Sequence, residues 1–68
     1  MFNYYIFSDN LVKAGIIANK LELNNFQYSF TVFEHNDEKL IKFTITNGHA
    51  SSCEDSCILE DIRLQFGM

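Results

Sequence analysis

The sequence predicts an α+β fold, a two-layer sandwich in β-α-β-β-α order built as one domain over residues 1–68. Three observations predict it. Residues 26–34 and 39–46 alternate apolar with polar side chains around a turn-forming Asn36–Asp37 pair, the pattern of an antiparallel hairpin. The apolar spacing after Asn10 is helical. Apolar residues make up 47% of the chain, with seven Phe and three Tyr, too hydrophobic a composition for a disordered segment.

The first element is a strand over 2–7, where Phe2, Tyr4 and Ile6 share one face and Tyr5 and Phe7 the other. Aromatic residues on both faces call for cover on both sides, or for a second face that meets a partner. Ser8, Asp9 and Asn10 then offer three candidate N-caps. Leu11, Ala14, Ala18 and Leu21 form the inner stripe of a helix, widened by Ile17 and flanked by Val12 and Ile16. Gly15 weakens that helix by about 1 kcal/mol against Ala, which suggests a close backbone approach. Asn24 and Asn25 tolerate the left-handed conformation that stops it.

The hairpin has the strongest signals. A two-residue loop at Asn36–Asp37 pairs Val32 with Ile41, Phe30 with Phe43, Tyr28 with Ile45 and Glu34 with Lys39. A slip of one residue would turn the whole apolar set outward. The reverse face is mostly polar, with Thr31 opposite Lys42 and one apolar pair, Phe33 and Leu40, near the tip. After an expected turn at Asn47–Gly48, Ser51 and Glu54 have capping-box spacing, so a second helix should begin near Ser52. Ile58, Leu59, Ile62 and Phe66 share its inner face. A rival reading ends a short second helix near Glu60 and makes Ile62, Leu64 and Phe66 a last strand, giving a ferredoxin-like β-α-β-β-α-β order. No Gly or Pro separates the two halves, so one helix is preferred.

Size and charge narrow the function. A chain of 68 residues buries only about 60% of its unfolded surface, a thin margin that a partner subunit or bound protein would widen. The longest apolar run is Tyr4–Phe7, too short to span a bilayer, and the first residues lack the basic flank and apolar stretch of a secretory signal. Two cysteines are few for a disulfide scaffold, so a reducing, cytoplasmic setting is expected. Net charge is −4, and the five basic residues are scattered, which disfavours direct nucleic-acid binding. Phe, Tyr, Ile, Asn and Lys abound while Pro and Trp are absent, a bias typical of an AT-rich genome and compatible with a bacteriophage source.

Chemistry-bearing residues are sparse. His49, Cys53 and Cys57 recur at four-residue spacing, which on a helix can present ligands to one metal or thiols to a redox partner. No C-x₂-C pair accompanies them, and a fourth ligand would have to be His35 or a carboxylate. The metal- or redox-linked regulator is therefore the alternative reading. No catalytic residue, cofactor or metal is assigned. The preferred reading is a small acidic, non-enzymatic protein-binding module, with a phage-type inhibitor or modulator of a host protein as its most concrete form. Its expected contacts are the open sheet face (Tyr5, Thr31, Phe33 and Leu40), the acidic helix edge (Glu54, Glu60 and Asp61), or both. The expected partner is another protein, basic or itself nucleic-acid-binding, and a homodimer through the open sheet face is compatible.

Overall fold

The computed structural model describes residues 3–46 and 53–68. The chain runs β1 (Tyr4–Ser8), α1 (Leu11–Leu23), β2 (Tyr28–His35), β3 (Glu38–Ile45) and α2 (Cys53–Phe66). The sheet has three strands in the order β1-β3-β2, and β3 is antiparallel to both neighbours. This is the expected α+β sandwich. Residues 61–66 continue α2, so the ferredoxin-like alternative with a final strand is corrected. An unbroken run without Gly or Pro lets the helix propagate, one backbone bond per residue, past Glu60. Phe2, the Asn47–Gly48 turn and the Ser51–Ser52 cap lie outside the described residues.

Local chemistry sets the element boundaries. Of the three candidate caps, Asn10 caps α1: its side-chain oxygen accepts from the backbone N–H groups of Val12 at 2.8 Å and Lys13 at 3.2 Å. Ser8 instead ends β1, fully buried, with its hydroxyl donating to the Asn10 carbonyl and accepting from the Asn10 N–H. Asn25 takes the left-handed conformation, φ 62°, just beyond α1. At the hairpin tip Asn36 (φ 52°) and Asp37 (φ 65°) both sit at positive φ, as a type I′ turn requires. The turn sets the expected register, including Phe30 with Phe43 and Glu34 with Lys39.

The core lies between one sheet face and the helices. Ile6, Ile41, Phe43 and Ile45 from the sheet meet Ala14, Ile17 and Leu21 of α1 and Leu59 and Ile62 of α2, with Phe26 closing one end. Both helices pack toward β1, and α2 contacts that edge of the sheet. Cover therefore fails over β2. Phe43, on the central strand, is 2% exposed, whereas its cross-strand neighbour Phe30 is 62% exposed and Val32 55%. Leu11, expected on the inner stripe, is 81% exposed because it lies at the first turn, where α1 has no neighbour across it. A Cβ on Gly15 would meet nothing within 4 Å, so the expected close approach is absent there. The tight glycine is Gly67, where a Cβ would fall 2.7 Å from the Arg63 carbonyl oxygen and 3.2 Å from the Ile6 side chain.

These placements rank substitutions. Leu21→Ala empties a fully buried site and should cost about 2–5 kcal/mol, whereas Phe30→Ser should cost about 1 kcal/mol or less; urea denaturation compares them. Gly67→Ala should destabilise by about 1–3 kcal/mol through overpacking, and Gly15→Ala should stabilise by about 0.5–1 kcal/mol; the opposite order of melting temperatures would contradict the packing described.

Candidate functional site

Alternation along the strands sends every second side chain of the sheet away from the helices. The register lines these up in rows across three strands: Tyr5, Thr44 and Ser29; then Phe7, Lys42 and Thr31; then Leu40 with Phe33. No helix covers this face among the described residues. Tyr5 and Phe7 are exposed, Phe33 is half-buried, and Leu40 is buried. Phe7 and Phe33, on the two outer strands, meet edge-to-face across β3 with ring centroids 6.3 Å apart. Lys42 lies 4.6 Å from the Tyr5 ring centroid, so its charge is held over an aromatic face. The structure thus brings Tyr5, Thr31, Phe33 and Leu40 onto one surface and adds Phe7 and Lys42 to it.

The acidic residues belong to the other layer. Glu60, on α2, accepts the Tyr4 hydroxyl at 2.6 Å and pairs with the Arg63 guanidinium through Nε at 3.2 Å and a second, shorter bond. These bonds hold its carboxyl down, from the usual 4.5 to about 2, with Arg63 the larger cause and Tyr4 the next. Burial and the same bond push the Tyr4 phenol upward. Asp61 accepts from the Gln65 amide at 3.1 Å, one helical turn away. Glu54 is exposed in the first turn of α2. The open sheet face and the acidic helix edge are therefore two separate surfaces. Glu60 in particular ties α2 to β1 through Tyr4.

The metal or redox reading finds little to build on. Among the described residues no three His, Cys, Asp or Glu side chains cluster closely enough to hold a metal. Cys57 is an exposed free thiol; His49 and the side chain of Cys53 lie outside the described residues. His35 sits at the end of β2, beside the hairpin turn. Neither described helix is long and apolar enough to cross a membrane.

Sequence reasoning missed a second apolar surface. Leu11, Ala14, Gly15, Ala18, Phe30, Ile41 and Phe43 line a groove of about 210 Å³ between α1 and β2, on the helix side of the sheet. Alternation placed Phe30 and Val32 on the correct face, but their exposure depends on where the helices settle. The only available signal was β2's position at the edge of the order, which the hairpin alone does not reveal.

Compared with known proteins, the chain matches no protein family, no curated protein and no solved structure.

The Glu60 contacts give a pH dependence with a definite sign. Its folded pKa lies below the unfolded value, so the stabilisation is complete above about pH 4.5 and is lost as pH falls through about 2. Glu60→Gln should flatten that part of the acid limb in melting curves recorded between pH 5 and 2; an unchanged limb would mean the Tyr4–Glu60–Arg63 contacts do not persist in solution.

Proposed function

We propose that this chain is a small acidic, non-enzymatic protein-binding module of the cytoplasm that acts by occupying a surface on another protein. The observation that supports it best is the uncovered sheet face, where Tyr5 and Phe7 stay exposed beside Phe33 and Lys42 while the opposite face buries the core. A rigid sheet presents its side chains without an ordering cost at the moment of contact. Aromatic rings supply contact area with few rotatable bonds, and Thr31, Thr44 and Ser29 supply hydroxyls around them. The net charge of −4 steers approach toward a basic partner, and the acidic residues of α2 contribute to that field from the other layer. Its most concrete form is an inhibitor or modulator of a host protein, in keeping with the composition of an AT-rich, phage-type genome.

Affinity capture from lysate of the source cells, followed by mass spectrometry, tests this reading when run beside a Tyr5→Ser/Phe33→Ser double variant. A protein held by the wild type and lost, by tenfold or more, with the folded double variant supports the open face. Equal capture by both chains, or no stoichiometric partner for either, overturns it.

A further inference from the structure

The two edges of this sheet are not equivalent. At β1 the C-terminal tail takes part of the edge, because the Met68 N–H donates to the Phe7 carbonyl at 2.9 Å, and α2 packs beside it. At β2 nothing among the described residues takes that place. The hairpin parity says which backbone groups are free there. The two-residue turn makes His35 and Glu38 the closing hydrogen-bonded pair, and the Gln27 carbonyl accepts from the Thr46 N–H, so the odd-numbered residues of β2 face β3. Tyr28, Phe30, Val32 and Glu34 consequently turn their N–H and C=O groups outward, and the same residues put their side chains on the helix side.

We propose that a second copy of this chain pairs with β2 along this edge, antiparallel about a two-fold axis at Phe30, to form a six-stranded sheet. Proteins that stay monomeric blunt an exposed strand edge with lysine, proline, a bulge or an inward-pointing charge. Residues 28–33 (Tyr-Ser-Phe-Thr-Val-Phe) carry no charge and no proline, and their register with β3 runs without a bulge. Charge then selects the occupant. A chain of net charge −4 repels its own copy least where it presents no charge, and residues 28–33 carry none; the nearest carboxylate at the Tyr28 end is Glu22, and Glu38 beside Val32 is accompanied by Lys39. The one formal charge on the strand, Glu34, would lie about 27 Å from its mate at ~3.4 Å per residue, well beyond a Debye length of about 8 Å.

The register is self-complementary. Phe30 faces Phe30 of the other copy, Tyr28 faces Val32, and on the reverse face Ser29 meets Thr31, a hydroxyl pair. Three hydrogen-bonded pairs would exchange about six backbone bonds. Phe30, Val32 and the neighbouring Leu11 together offer about 300 Å² of apolar side chain per copy, below the ~800 Å² per partner of a standard stable interface, so the dimer is expected in the micromolar range or weaker. The pairing also joins two open sheet faces into one continuous surface, but it does not depend on what that surface binds.

Sedimentation velocity of the full chain from about 1 µM to 1 mM tests the proposal, together with amide hydrogen exchange on the unaltered protein. The expected result is a reversible rise toward twice 7.9 kDa, with exchange at Phe30 and Val32 slowing as concentration increases. Val32→Lys should weaken association at least about tenfold, while the open-face variant Tyr5→Ser, on β1, leaves it unchanged. A wild-type chain that stays monomeric throughout overturns the proposal. So does a dimer whose Phe30 and Val32 amides exchange at the monomer rate, or one broken by the open-face variant, which would place the contact on the other side of the sheet. Because Val32 is more than half exposed, the lysine variant should fold; if it does not, the exchange data on the wild type still decide.

Discussion

Burial of the inner face of β3 organises this molecule. Ile41, Phe43 and Ile45 have a strand on each side and helices above, so they reach near-complete burial with all their ladder bonds paired. Phe43 is the centre of it. The rings of Tyr28 and Phe30 approach it at 5.9 and 6.0 Å, and the β1–β3 register sets Ile6 directly opposite it. Everything farther from β3 is buried only to the extent that a helix covers it.

Helix placement then decides which surfaces remain. Tyr4 and Glu60 fasten α2 beside β1, Gly67 allows the helix end to approach Ile6, and Met68 finishes by pairing with Phe7. These contacts commit the covering layer to one side of the sheet. The cost falls on Phe30 and Val32 of β2, which stay more than half exposed among the described residues, while Tyr28 packs against the core. Among the described residues the domain is therefore asymmetric, with one partly covered edge, one open edge and one open face.

Much of the fold was legible in the sequence. Asn36–Asp37 set the hairpin register, the Ser8–Asp9–Asn10 run announced the start of α1, and the spacing of Ile58, Leu59, Ile62 and Phe66 described the inner face of α2. Strand alternation also placed Tyr5, Thr31, Phe33 and Leu40 together on the outward face, while Glu54, Glu60 and Asp61 lie on α2 in the other layer. Leu11 and Gly15 went differently from expectation because a helical stripe says which residues face inward, not how far the neighbouring element extends to meet them.

Periodicity, turn chemistry and caps act over a few residues, so the sequence by itself determined which elements form, how the hairpin pairs and which side of each strand is apolar. Which edge is partly covered and which is open, and which apolar residues of the inner face stay in water, was decided only in the folded chain. Those outcomes depend on contacts between residues far apart in sequence, such as Tyr4 with Glu60 and Phe7 with Met68, which leave no local pattern to read.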